Sequence, residues 1–541
     1  MKRLIQRIWG RVVTEIDLIA WRVKTAPIRK YTKPKPDKVV LFCNLMTMNA
    51  TAKVEALFSA AFAQEGCHPV VLLPSKGWLI ERIFSGTNKT EYIYLDSFLN
   101  HEIKEQAKIE AGNLLASLPS LDRLINLEKD GFRNGRNALS CVVRKFRIGR
   151  IDPDNPKHMD ELFRVLAESI AVSKVAKILL EKIKPDLAVF LEKGYTPAGE
   201  IYDACLLNGI NTIQWFSAPQ PDHFIFKRYK LENRAEHTFA LGSDSWEKIK
   251  KLKWGEVEEE KLIQQIKKHY QSGAWYNRQQ LQTGKKFLPT QEVRLKLGVK
   301  EGRKVAIIFT HILFDATFFY GDSLFQDYEQ WLVETVKCAI ANTELDWIVK
   351  VHPVNVWRST MDGVPMEQLE AQILKKNFGD LPAHVRIMGA DTEINTYSLF
   401  SVIDYGLTVR GTVGMELPCY GIPVVTAGSG RYSGHGFTID PTSIEHYRLV
   451  LSRLHCEKRM DAEQITNARK YAFASFFLRQ IRQSSFRIDF EARAFGVAAL
   501  KLNVKMNSSE IKKWPLVKGL QSIVDWSLNT TDTDLQNEIK Y

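Results

Sequence analysis

The run WIVKVHP puts Lys350 and His352 two residues apart at the end of a β-branched stretch. Alternate residues of a strand share a face, so both side chains should leave its carboxyl end together, where Pro353 stops the ladder. A lysine supplies a point charge and a histidine a directed hydrogen-bond donor; aimed at one place, they suit a phosphate. An edge pair satisfied by solvent is the plainer reading. Further on, DYGLTVRGTVGMELPCYGIPVV reads as a strand, a turn bearing Arg410, Gly411, Thr412 and Gly414, and then a helix. Small residues at such a turn let backbone N–H groups face an anion, and the helix dipole adds to the attraction. Glu416, about one turn into that helix, is placed to accept hydrogen bonds from a ribose.

Two carboxylates stand where a general base could act. Glu192 ends DLAVFLE, with Gly194 expected to let the backbone turn sharply beside it, and Asp315 follows a strand in HILFDAT. Either carboxylate is a candidate to take a proton, and either also fits a helix cap or an ion pair. His311 and His435 read chiefly as structural donors, with a catalytic role as the alternative, and His435 is also a candidate at the donor site. The cluster Phe318, Phe319 and Tyr320 offers a face for a sugar ring, although core packing is the expected fate of at least two of the three.

These residues need elements to hold them. Apolar runs at 39–44, 68–74, 91–96, 186–192, 211–216 and 237–242 alternate with helical stretches, and residues 100–180 read as mainly helical. A second alternating series has strands at 305–311, 347–353, 385–389, 402–409 and 423–428, with helices at 327–341 and 415–420. Strands alternating with helices predict parallel sheets wrapped by helices. The fold class expected is therefore α/β, with two Rossmann-like domains facing a cleft, where open sheets of this kind bind ligands. The divisions expected are 1–38, a basic amphipathic helix and linker; 39–290, a first Rossmann-like domain with a helical insertion; 291–480, a second Rossmann-like domain; and 481–541, terminal helices and a loose tail. Residues 243–300 read as a connection between the domains.

Composition narrows the class. The chain has 541 residues, 45% hydrophobic and 25% charged, a mix that excludes a disordered or collagen-like protein. Its net charge of +13 implies attraction to phosphates. Nucleic acid is not the expected partner, because zinc-finger spacing and RNP motifs are absent and the basic residues are dispersed. Seven scattered cysteines without a C-x-x-C pair fit buried thiols in a reducing cytosol. No stretch reaches the roughly 20 apolar residues that span a bilayer. In the first 24 residues, Leu4, Ile8, Val12, Ile16 and Ile19 recur at helical spacing with Ile5, Trp9 and Val13 beside them, while Arg3, Arg7 and Arg11 take another face. Such a helix either lies on an anionic membrane or packs on the protein's own core.

From about residue 185 to 440 the chain resembles bacterial capsule polysaccharide biosynthesis proteins, glycosyltransferases of the two-domain GT-B architecture. The matching pieces are FLEKGYTPAGEIYDACLLNGINTIQW, THILFDATFFYGDSLFQDYEQWL, VKVHP, TVRGTVGMELPCYGIPVV and GRYSGHGFT. The last is similar to a Tyr-x-Gly-x-Gly segment of capsule transferases that use Kdo, and the His-Pro element is similar to that of bacterial sialyltransferases. The resemblance implies a donor nucleotide on the second half, with a CMP-sugar as a candidate. Lys350 and His352 would then meet phosphate, with Thr412 and Glu416 nearby and Arg410 and Arg431 adding positive charge. Such charge would stabilise the leaving nucleotide, so neither a metal nor a cofactor is expected. E-K-G at Glu192 partly resembles the acidic-acidic-glycine motif of CMP-sugar transferases, with Lys193 in place of the second acid. The acceptor expected is a glycan or lipid-linked glycan, and the setting the inner face of the cytoplasmic membrane. Transfer of glycerol phosphate from a CDP-linked donor and a catalytically silent nucleotide- or glycan-binding scaffold are the competing functions.

Overall fold

The computed structural model describes residues 2–30, 37–272, 274–275, 279–282, 284–356, 359, 368–492, 500–514 and 517–538; the side chains of 2–8, 274–275, 279–280, 490–492 and 500–501 lie outside that description. Two parallel sheets organise it. In the first, β1 (Lys38–Cys43), β2 (Cys67–Leu73), β3 (Glu91–Tyr94), β4 (Leu187–Phe190) and β5 (Asn211–Ser217) run parallel in the order 3-2-1-4-5. β6 (His223–Tyr229) then pairs antiparallel with β5. The strands read as continuous apolar runs because both faces are covered. Val40, Phe42, Val71 and Leu73 face one core, shared with the helix Asn49–Gln64, while Leu41, Cys43, Val70 and Leu72 face another, shared with Pro156–Ile183 and Ala198–Leu207.

The second sheet repeats the plan. β7 (Val305–Phe309), β8 (Asp346–Lys350), β9 (Val385–Met388), β10 (Tyr405–Thr408) and β11 (Val424–Thr426) are all parallel, in the order 9-8-7-10-11. Each sheet therefore reverses strand order beside its first strand, between β1 and β4 and between β7 and β10. Ligands of open α/β sheets bind outside the carboxyl ends at such a point.

Three expectations change. Residues 237–242 form no strand; the edge is extended instead by His223–Tyr229, whose aromatic-rich run follows a proline-bearing turn. The 237–242 segment is held by side chains, with Arg479 donating to the carbonyls of Thr238 and Ala240. Nor is 243–300 a mere connection. Its helices Ser243–Lys250, Glu256–Ser272 and Thr290–Lys296 bury Trp246, Ile249, Leu262, Ile266 and Val293 in the core of the second sheet, so a boundary at 290 falls inside the second domain.

The tail is likewise built in as far as residue 538. After the helix Ala462–Phe473 the chain returns to the first sheet, where β12 (Ile481–Arg482) pairs with β6. A hairpin, β13 (Phe486–Ala492) and β14 (Leu500–Met506), and the helix Lys518–Asn529 follow and pack on the first core. Asp534 is fully buried between Lys227 and Arg479, at 3.3 and 3.0 Å. Asp534 is thus paired inside the fold, while most other polar residues of this stretch stay at the surface. The cysteines are free thiols, with Cys456 exposed.

The first helix, Lys2–Thr25, also docks on this core, with Leu18 and Trp21 buried and Trp21 Nε1 donating to the Ile83 carbonyl at 2.9 Å. Arg3, Leu4, Ile5, Arg7 and Ile8 lie outside the described side chains. The expected linker is ordered through Ile28–Lys30, with Ile28 buried, and its stretch 31–36 lies outside the described residues.

Candidate functional site

At the carboxyl ends of β7, β8 and β10, one cavity is lined by His311, Lys350, His352, Gly411 and Thr412, with Thr310, Thr408 and Tyr270. Lys350 ends β8 with its backbone paired to Phe309 of β7. Its side chain is 5% exposed, and burial pushes its pKa down to about 7, with Lys285 adding repulsion. The neighbouring charge is thus another cation, and an anion in the cavity would supply what burial has removed.

The histidines are fixed as donors by the backbone. His352 Nδ1 accepts the Val354 N–H at 3.2 Å, which leaves its proton on Nε2. His311 Nε2 accepts the N–H groups of Val409 and Arg410 at 3.1 and 3.3 Å, which puts its proton on Nδ1. Its ring stacks on Tyr328 at 4.5 Å, and burial, then the charges of Arg410, His352 and Arg431, keep its pKa well below the usual histidine range. The cavity therefore has a neutral imidazole donor in its wall at His311.

The turn after β10 differs in detail from its reading in the sequence. The Gly411 N–H goes to Thr408 Oγ1, the Gly414 N–H to the Gly411 carbonyl, and those of Met415 and Glu416 to the Thr412 carbonyl. These four amides are spent within the turn. Thr412 lies between this cavity and a second one lined by Glu416, Arg431, Phe239, Phe476 and Gln480. Glu416 is buried; burial lifts its pKa to about 7, while the Tyr270 hydroxyl, donating at 2.5 Å, and Arg431 pull it back. The Arg410 guanidinium turns away to Ser323 Oγ at 2.6 Å and to Tyr328, where it holds the 322–328 loop. Arg431 donates to the Arg410 carbonyl at 3.2 Å. His435 packs against Trp246 and Tyr471, with ring centroids 5.1 and 4.9 Å away.

Glu192 and Asp315, rivals in the sequence, come together from different domains. Glu192 follows β4 and is half-buried; its pKa is raised to about 7, by burial first, against the attraction of Arg144, with Asp315 repelling it. Asp315 lies in the loop after β7 that also carries His311, and its Oδ1 accepts the Tyr195 hydroxyl at 3.3 Å. The next residue, Ala316, has φ of 54°, a left-handed conformation that costs a non-glycine residue on the order of 1 kcal/mol, and its N–H donates to Tyr195. Arg144 lies 4.5 Å over the Tyr195 ring.

Gly194 is needed for a reason other than a sharp turn. A Cβ there would stand 1.9 Å from Cγ of Phe319, so glycine allows the second domain to press on the first. Phe318, Phe319 and Tyr320 are all buried in this packing rather than offered to a sugar. Lys193 turns inward, donating to the carbonyls of Arg234 and Glu236 at 2.7 Å over the Tyr229 ring. Tyr270, Arg144 and Tyr195 were not singled out in the sequence. The nearest signal was the run from Phe190 that contains Tyr195. Among the described residues, no group of three His, Cys, Asp or Glu side chains forms a metal site.

Fold and site together define a two-domain α/β protein with a cavity lined by Lys350, His311 and His352 at a topological switch point. No family model matches the chain, and no curated protein matches it. Solved structures that it partly resembles include KpsC of Thermosulfurimonas dismutans as a β-Kdo 2,4-transferase, at 16% identity over 55% of this chain and 82% of that one, with a TM-score of 0.32. The β-Kdo 2,7-transferase of the same organism is 14% identical over 63% and 87%, also at 0.32. The UDP-GlcNAc 2-epimerase of Neisseria meningitidis is 10% identical over 81% and 98%, at 0.26. Likeness at this level assigns neither a family nor a substrate.

Proposed function

We propose that the protein is a metal-independent glycosyltransferase that draws on a nucleotide-activated sugar, with a CMP-sugar favoured, to extend a capsular or other surface polysaccharide. One observation carries the reading: a buried lysine whose neighbouring charge is another cation lines a cavity with two histidines and Thr412. An anionic phosphate completes that set. Lys350, His352 and His311 hold the donor phosphate, while Thr412, Glu416 and Arg431 hold the adjoining part of the nucleotide. Arg410 and His435 support the surrounding loops. A carboxylate, Glu192 before Asp315, takes the proton of the acceptor hydroxyl as its oxygen attacks the anomeric carbon. The bond from that carbon to the donor phosphate breaks, and the cationic and donor groups stabilise the departing charge. The acceptor is a glycan or lipid-linked glycan, at the inner face of the cytoplasmic membrane.

Titration calorimetry with CMP, CDP, UDP and GDP tests the donor site. Lys350→Met and His352→Ala each remove a charged or directed hydrogen bond worth about 1.5–3 kcal/mol, so nucleotide affinity should fall roughly 10- to 150-fold with the fold intact. Unchanged affinity in both variants would place the donor elsewhere. Product analysis with the nucleotide sugars then separates sugar transfer from glycerol phosphate transfer, and tight binding without turnover would identify a scaffold.

A further inference from the structure

The first helix carries two apolar stripes, and only one is buried by the fold. Leu18, Trp21 and Thr25 recur at three- and four-residue spacing and are at most 3% exposed against the first domain. Trp9, Val12, Ile16, Ile19 and Val23 recur in the same way and are 47%, 41%, 61%, 58% and 69% exposed. At about 100° per residue the two stripes lie about 180° apart, so the second faces directly away from the protein. A helix packed only to complete a core has no use for that outer stripe.

Charge on the helix is sorted in the same sense. Its acids are tied to the body, Asp17 to Lys53 at 2.7 Å and Glu15 to Arg82 at 2.7 Å. Arg11, Arg22 and Lys24 are exposed, and the exposed Arg29 and Lys30 follow. Outward charge is therefore positive beside an apolar ridge. Trp78, 50% exposed, lies under the Arg82 guanidinium that binds Glu15, and so extends this surface. It begins the helix Trp78–Phe84, which follows the carboxyl end of β2, so the apolar edge reaches the end of the sheet at which the cleft opens.

We propose that this outer stripe, with Trp78, is a lipid-inserting edge that seats the first domain on an anionic phospholipid surface. The ridge supplies apolar area at the acyl boundary, the flanking arginines and lysine meet the headgroups, and tryptophan is suited to the interface between them. The inner stripe fixes the helix to the domain, so the membrane holds the protein in a set orientation rather than on a loose tether. The inference deepens the membrane setting proposed above and is separable from the donor chemistry.

Full-length protein is sedimented with vesicles of phosphatidylglycerol and phosphatidylcholine, and with phosphatidylcholine alone. Wild type should pellet with the anionic vesicles and be released as salt rises. Ile16→Glu/Ile19→Glu, and separately Arg11→Gln/Arg22→Gln/Lys24→Gln, should weaken partitioning by roughly tenfold or more while leaving thermal stability and nucleotide affinity unchanged. These positions are exposed, so the variants should fold. Equal pelleting of wild type and the Ile16/Ile19 variant, or no pelleting of wild type on anionic vesicles, overturns the proposal. A wild-type dimer that the same two substitutions make monomeric, seen by sedimentation equilibrium, would assign the stripe to a second copy and overturns it too. Nucleotide affinity, measured on the same samples, reports separately on the donor site.

Discussion

Glu192 and Asp315 share a corner of the cleft but are held differently. Asp315 accepts a hydrogen bond from Tyr195, whereas Glu192 has burial and Arg144 competing over its proton. A base must be ionised, so with a pKa of about 7 Glu192 becomes competent as pH rises through neutrality. Lys350, pushed down to about 7, loses its charge over the same range, and with it a hold on the donor phosphate. The expected profile of kcat/KM is a narrow bell centred near pH 7, whose acid limb belongs to the carboxylate and alkaline limb to the lysine. Glu192→Gln should remove the acid limb and lower kcat by about 10²–10⁴-fold with donor affinity kept. Steady-state kinetics across pH 5–9 check this; collapse in Asp315→Asn with near-normal Glu192→Gln would move the base to the second domain. Lys350 and His352 were legible as a pair because strand alternation is a local rule. The protonation of His311 was not, because its ring nitrogen is set by amides at 409 and 410, far along the chain.

At the scale of elements, the short helix after β10 depends on a close approach that composition does not announce. Tyr432 donates to the Gly411 carbonyl at 2.6 Å, and a Cβ on Gly414 would stand 2.0 Å from its hydroxyl. Gly414→Ala should therefore push Tyr432 off the turn that presents Thr412 and Glu416. Overpacking of this kind costs about 1–3 kcal/mol. A lower melting temperature together with weaker nucleotide binding is the expected outcome in paired calorimetric measurements; a normal affinity would show that the turn tolerates the shift. The G-T-x-G pattern did mark a strand-to-helix turn. Which of its amides the turn itself uses was not legible, because the Gly411, Gly414, Met415 and Glu416 N–H groups depend on partners such as Thr408 Oγ1 and on where the helix first closes its bonds.

For the whole molecule, the decisive contact is between domains. Phe319, 2% exposed, sits on Gly194 and against the Tyr195 ring, and its loop also carries His311 and Asp315. Gly194→Ala should lower thermal stability and displace that loop, reducing kcat more than donor affinity, since Lys350 and His352 lie on β8 and just beyond it. Adding Phe319→Ala to Gly194→Ala should restore part of the lost activity by removing the clash. A Gly194→Ala protein with normal kcat would separate domain packing from turnover.

The sequence by itself determined the two α/β halves, because fully buried parallel strands must be continuous apolar runs and helices must separate them. It also placed Lys350, His352, Thr412 and Glu416 near a cleft, since strand ends and the helices after them are local features. Tertiary structure decided the rest. It alone put Glu192 beside Asp315, drew Tyr270 from an apparent connection into the cavity wall, spent Arg410 on a neighbouring loop, and buried Asp534 in what read as a tail. In each case the partner lies far away in sequence, and pairing between distant polar groups leaves no periodicity to read. The first helix shows both regimes at once: its spacing announced amphipathicity, but only packing against Ile83 and its neighbours showed which stripe the fold consumes and which it leaves exposed.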